Sequence, residues 1–147
     1  MTTIGSDKLI LPGGIVAGYI VADAGRIVSV SHTKPSVGGG YIDMAGLYVS
    51  PGFVDLHAHG GGSHDFMDGG AACIEQAALA HRAHGTTTLL PTTLAAAWDE
   101  VYAFLDSLRI AQERLSGMMS LPGTHLEGPY FNPAQAGAQD QIGRAHV

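Results

Sequence analysis

The chain has 147 residues, a formal net charge of −6, one cysteine and no apolar run long enough to span a bilayer. The length fits one ordinary domain or a piece of a larger protein, and the charge argues against non-specific nucleic-acid binding. Cys73 alone excludes an internal disulfide framework and fits a reducing compartment, and the N-terminus lacks the basic and apolar regions of a signal peptide.

Residues 7–50 read as short β-structure. Leu9-Ile10-Leu11 is a strand, Pro12-Gly13-Gly14 a turn, and 15–22 a second strand. Asp23-Ala24-Gly25 is a hairpin turn, followed by the β-branched strand 26–30. Gly38, Gly39 and Gly40 mark a loop, and 41–44 and 47–49 flank a turn at Ala45-Gly46. So small a sheet needs something to pack against.

From Pro51 strands and helices alternate. A strand over 53–57 leads to a glycine-rich loop and a helix over 71–84, with Ile74, Ala78 and Leu79 at helical spacing and Gly85 as the stop. A strand over 86–90 ends at Pro91-Thr92-Thr93. The next helix, 97–116, carries an apolar stripe of Val101, Leu105, Leu108 and Leu115. A third strand is expected at 118–121 or, past Pro122-Gly123, at 124–126, ending in Glu127. This order implies a parallel sheet, with its chemically suggestive residues at C-terminal strand ends, where eight-stranded barrels place active sites. Such a barrel needs roughly 250 residues, so only three strand–helix units are present.

His57 and His59 lie two apart on a strand, so they share a face and offer two nitrogens to one metal ion. Glu127 at a neighbouring strand end supplies a third ligand, and a metal that keeps an open position can activate water. Gly60, Gly61 and Gly62 keep the strand end uncluttered and allow backbone to approach a ligand. His125 shares a face with Glu127 and reads as a hydrogen-bond partner behind the ligands. Asp65 and Asp68 read as caps of the first helix, His64 as a solvated loop residue rather than a substrate contact, and Cys73 as a packed thiol. His81 and His84 read as last-turn cations without function. Thr92 and Thr93 either line the site or cap the next helix.

The blocks PGFVDLHAHG, GTTTLLPTT and THLEGPYFNPAQAGAQD resemble the N-acetylglucosamine-6-phosphate deacetylase family of the amidohydrolase superfamily, from about residue 7 to 140. The resemblance implies an α/β fold: the first three units of a (β/α)8 metal-dependent hydrolase barrel over 51–140, preceded by part of a small β-sandwich over 1–50. It implies metal ligation by His57, His59 and Glu127, with a divalent zinc or iron ion and room for a second metal. It implies substrate contacts at Ala138 and Gln139, although many members carry His where this chain has Gln139. The amide donates hydrogen bonds but does not titrate. The expected catalytic aspartate, two further histidines and the phosphate-binding groups lie beyond the end of the chain. The implied protein is cytoplasmic and homodimeric, binds an amino-sugar phosphate and engages neither nucleic acid nor membrane.

The implied activity is hydrolysis of N-acetylglucosamine 6-phosphate to glucosamine 6-phosphate and acetate, with this truncated chain itself inactive. A cyclic amidase of the dihydroorotase or hydantoinase kind, or a non-catalytic incomplete barrel, are the other readings. Residues 141–147, QIGRAHV, carry no turn chemistry, apolar period or completed element. One back-translation of them reads as the start of a short-read sequencing adapter, so they are expected to be a non-native tail.

Overall fold

The computed structural model describes residues 1–128, 131–135, 137 and 139. The chain is α/β with mixed sheets and divides into two compact units, Met1–Pro51 and Gly52–Val147.

The first unit is a sheet. It holds β1 (Thr2–Leu11), β2 (Gly14–Asp23), β3 (Arg26–Ser31), β4 (Gly40–Asp43) and β5 (Tyr48–Val49). β1 is central: β2 pairs with it antiparallel on one side, and β4 and β5 pair with it parallel. The β2–β3 hairpin closes through Ala24 (φ 46°) and Gly25 (φ 76°), the two positive-φ positions that a two-residue turn between twisted strands requires. β1 extends seven residues further towards the N-terminus than the apolar run Leu9–Leu11 suggests. Its inward positions include Thr3 and Ser6, both 7% exposed, and Gly5, where an added Cβ would lie 3.0 Å from the Tyr19 ring. Polar and glycine residues at buried strand positions leave no apolar alternation to read.

The second unit holds β6 (Val54–Ala58), β7 (Gly60–Gly61), β8 (His64–Asp65), α1 (Ala71–Ala83), β9 (Thr88–Pro91) and α2 (Trp98–Arg114). β6 and β9 pair in parallel, with Val54 opposite Thr88 and Asp55 opposite Leu89. The expected third strand is reduced to two parallel bridges, Thr88 with Ser120 and Thr92 with His125. Pro122, which has no N–H to donate, separates them. Both halves of the either/or expectation thus contribute one bridge each.

α1 ends as expected at Gly85 (φ 98°). The Thr86 N–H reaches the His81 carbonyl at 3.2 Å and the Gly85 N–H the Arg82 carbonyl at 3.0 Å, the paired bonds of a Schellman motif. α2 buries Val101, Phe104, Leu108 and Ala111 on one stripe. Glu100 Oε2 accepts the Ala97 N–H at 3.0 Å and ties its start. α1 and α2 pack through Ile74, Ala77, Ala78, Phe104, Leu108 and Ala111, over Leu89 of β9. Phe66 and Leu115 complete that core; burial of side chains this size contributes roughly 1.5–3 kcal/mol each.

The expected capping of α1 by Asp65 and Asp68 is not found. Its N-cap is Gly70, with no side-chain cap. Asp65 Oδ1 instead accepts the Met67 N–H at 2.7 Å, and Asp68 Oδ2 the Asp65 N–H at 2.8 Å. Gly69 and Gly70 (φ 100° and 81°) lead the chain away before the helix starts, so the carboxylates close the preceding turn. Among the described residues, no helix is long and apolar enough to cross a membrane.

Candidate metal centre

β6 delivers His57, and His59 follows directly after the strand. Residues 57–60 are held one by one. The His57 N–H donates to Asp55 Oδ1 at 3.1 Å. Ala58 donates its N–H to Thr92 Oγ1 at 3.1 Å and accepts the Thr92 N–H at 2.8 Å. The His59 carbonyl accepts the Phe66 N–H at 2.8 Å. The Gly60 carbonyl lies 2.9 Å from His81 Nε2.

Glu127 arrives from the bridged segment. Its N–H donates to Thr93 Oγ1 at 3.2 Å, and the Thr93 N–H donates to the His125 carbonyl at 3.0 Å. Thr92 and Thr93 therefore join three neighbouring segments by side chain and backbone together. Neither caps α2, whose N-cap Ala97 receives no side-chain cap.

The three ligand-type side chains converge. His57 Nε2 and His59 Nε2 are 3.2 Å apart, and Glu127 Oε2 lies 3.0 Å from His59 Nε2 and 3.5 Å from His57 Nε2. Ligands at about 2.0–2.1 Å from a tetrahedral ion stand about 3.3 Å from one another, so the spacing fits one face of such a site. Glu127 Oε2 is buried and, despite its closeness to His59, makes no aligned hydrogen bond; His59 Nδ1 is also buried without a partner. A desolvated carboxylate oxygen facing two imidazole nitrogens is costly unless a cation is shared among them. The donor set, two imidazoles and one carboxylate, suits zinc or iron. Among the described residues these three form the one such cluster.

His125 does not join that group. Its Nδ1 lies 3.3 Å from the Leu56 carbonyl, and its ring meets His57 edge-on with centroids 4.6 Å apart. It steadies the His57 ring and the β6 backbone. Gln139 Oε1 accepts the Ala95 N–H at 2.8 Å, and Leu94, Trp98, Leu126 and Glu127 are among the residues that line a small cleft. Ala138, residue 140 and the segment 141–147 lie outside the described residues. His64 sits in β8, half-buried.

The glycines after His59 form a tight hairpin. Gly60 and Gly61 pair with Asp65 and His64, and Gly62 (φ 57°) and Ser63 (φ 66°) close this hairpin. A Cβ on Gly60 would lie 2.9 Å from Asp65 Cα, against backbone that cannot yield cheaply. Gly60→Ala is expected to cost about 1–3 kcal/mol, the range for overpacking a close contact. Urea denaturation measures it, and an unchanged midpoint would count against this packing.

Phe66 is the site-supporting residue that motif reading passes over, and His81, read there as a last-turn cation, supports the site as well. The missed signal is on α1. His81 continues the buried stripe of Ile74, Ala77 and Ala78 one turn on, and a polar ring on a core-facing stripe needs a partner.

Comparison with known proteins bears out the resemblance. No protein-family model matches the chain. An N-acetylglucosamine-6-phosphate deacetylase of Bacillus subtilis is 32% identical over 127 residues, covering 83% of this chain and 32% of the relative. An N-acetylgalactosamine-6-phosphate deacetylase of Escherichia coli O157:H7 is 33% identical over 90 residues, covering 61% of this chain and 24% of the relative. The crystal structure of the Mycobacterium smegmatis N-acetyl-D-glucosamine-6-phosphate deacetylase superposes with a TM-score of 0.77 at 27% identity, covering 94% of this chain and 38% of that one. A variant of that enzyme, in complex with N-acetyl-D-glucosamine-6-phosphate, superposes with a TM-score of 0.75 at 27% identity, covering 95% and 35%. The chain thus spans about a third or less of the length of the curated relatives it matches. These relatives are hydrolases by name.

Proposed function

We propose that this chain is the N-terminal part of a metal-dependent deacetylase that hydrolyses N-acetylglucosamine 6-phosphate to acetate and glucosamine 6-phosphate. The observation that carries the reading is the convergence of His57 Nε2, His59 Nε2 and Glu127 Oε2, within 3.0–3.5 Å of one another at adjacent segment ends. The likeness to relatives named for this reaction gives it its substrate.

In this reading β6, β9 and the bridged segment are the first three staves of an eight-stranded barrel. The first unit, residues 1–50, is the N-terminal share of a β-sandwich. Parallel pairing in chain order and ligands at C-terminal ends support the barrel. His57, His59 and Glu127 would hold a divalent zinc or iron ion. When bound, such an ion polarises a carbonyl and lowers the pKa of water.

The chain's own residues hold and orient. Thr93 fixes the Glu127 backbone, and Asp55 and Thr92 fix the two imidazoles through their strand. Gln139, with its oxygen committed to the Ala95 N–H, is left with its NH2 end to donate to a sugar hydroxyl or phosphate oxygen. Ala138 is its proposed neighbour at the substrate. The aspartate that takes the water's proton and passes it to the leaving amine belongs to the length of the relatives that this chain does not span. The free thiol of Cys73 supports a cytoplasmic setting. A homodimer of the full-length protein completes the proposal, to be checked by light scattering.

The test is acetate release by the full-length protein from N-acetylglucosamine 6-phosphate and from its galacto epimer. Release from the gluco substrate, lost on chelation and restored by zinc or iron, is expected. Hydrolysis of dihydroorotate or hydantoin with no acetate release would overturn the assignment in favour of a cyclic amidase.

A further inference from the structure

We propose that His81 is a positioning residue for the metal centre, acting from α1 through the glycine hairpin that follows the H-x-H pair. The proposal rests on the metal-centre reading above and extends it to a side chain that is none of the three ligands.

His81 reaches the site's backbone from behind. Its Nε2 is 2.9 Å from the Gly60 carbonyl, one residue beyond His59. A carbonyl only accepts, so Nε2 carries the proton. The ring has two further neighbours. Phe66, 1% exposed, stacks on it with centroids 6.4 Å apart at 22°. Asp55 Oδ2 lies 3.8 Å from its Nδ1, too far for a hydrogen bond. The same two neighbours grip the ligand strand directly: the Phe66 N–H donates to the His59 carbonyl and Asp55 Oδ1 accepts the His57 N–H. One ring thus adjoins the two residues that hold the His57 and His59 backbone, while holding the next carbonyl itself.

The hairpin is built to receive it. A Cβ on Gly61 would stand 3.1 Å from His81 Nε2 and 3.0 Å from the Ala77 carbonyl, and one on Gly62 3.1 Å from Ala80 Cβ. A side chain at either position would push the hairpin and α1 apart by a few tenths of an ångström. The close approach brings the Gly60 carbonyl within reach of a ring 21 residues further on. Without that bond the His59 main chain relies on its Phe66 tether and the β7–β8 pairing on its C-terminal side, and the His59 imidazole is less firmly directed. Removing a hydrogen bond made to a ligand side chain itself costs about 10–100-fold in metal affinity, and a bond to the backbone one residue beyond belongs at the lower end of that range.

The distinguishing feature is which ring nitrogen matters. A glutamine amide nitrogen reaches the place of Nε2, whereas an asparagine amide nitrogen reaches only that of Nδ1. The experiment is titration of the metal-free full-length protein with Co2+, followed by its visible absorption, for the parent, Glu127→Gln, His81→Gln, His81→Asn and His81→Leu. The parent is expected to give a ligand-field spectrum that Glu127→Gln loses. His81→Gln is expected to bind Co2+ close to the parent. His81→Asn and His81→Leu are expected to bind at least about tenfold more weakly, with altered band shapes.

If the parent shows no Glu127-dependent spectrum, the metal-centre reading fails, and this proposal with it. If it does, equal affinity across the His81 variants overturns the positioning role alone. Should His81→Leu not fold, the two amide variants decide: tighter binding by Gln than by Asn supports the proposal, and equal binding overturns it. Loss of folding in both would assign His81 to the core only and would equally overturn it.

Discussion

Glu127→Gln in the full-length protein is expected to lower deacetylation by at least about a thousandfold while leaving the fold in place. The loss corresponds to about 4 kcal/mol of barrier, within the several kcal/mol that a metal ion supplies by polarising a carbonyl. The substitution is nearly isosteric, and the bond from the Glu127 N–H to Thr93 Oγ1 uses backbone that it leaves alone. What changes is the charge on Oε2, which sits buried without an aligned donor beside two imidazoles. This gives the variant a second signature. Without metal it should be as stable as the parent or more so, because a desolvated anionic oxygen is gone. With metal it should be less stable, because the ion no longer favours the folded state. Acetate release, metal content and paired melts with and without zinc measure all three. Activity within a few-fold of the parent would remove Glu127 from the ligand set.

The 147-residue chain on its own is expected to show no measurable turnover and a broad, low-temperature unfolding transition. Within the second unit, Val54 and Leu56 point from one face of β6 and are 59% and 60% exposed. Within the first, β3 leaves Ile27, Val28 and Val30 at 63%, 55% and 46%. Clustered apolar faces of this kind mark surfaces that another element covers. Each such half-exposed side chain forgoes about half of the roughly 1.5–3 kcal/mol that full burial contributes, against a total stability of about 5–15 kcal/mol for an ordinary domain. Calorimetry and an acetate assay check this. A sharp two-state transition together with turnover would defeat it.

The convergence of His57, His59 and Glu127 is legible because it depends on strand alternation and short motifs. His57 and His59 needed only the two-residue period, and Glu127 only its place at a strand end. The helices were legible within one to two residues at each end, since Gly85 and the stripe through Val101 and Leu108 are local signals. What could not be read depends on contacts distant in sequence. Asp65 and Asp68 have the composition of helix caps, and only the backbone course of Gly69 and Gly70 sends their oxygens elsewhere. Gly60 and Gly61 look like room for a ligand until α1 is seen lying against them. Thr92 offers the same hydroxyl whether it caps a helix or, as here, receives the Ala58 N–H from 34 positions earlier. The third strand was ambiguous because Pro122 divides it, and the structure keeps a single bridge on either side.

The central place of β1 has a consequence for the order in which the molecule can be made. On the ribosome, β1, β2 and β3 leave the exit tunnel as a meander of local pairings, which form quickly. The other flank of β1 waits for Gly40–Asp43 and then Tyr48–Val49. At ordinary synthesis rates of about 5–20 residues per second, the stretch from β3 to β5 takes roughly one to four seconds. For that interval the nascent chain carries an unpaired strand edge that a neighbouring polypeptide could occupy. Slowed synthesis across residues 32–47 should therefore lower soluble yield, even where every codon still specifies the same amino acid.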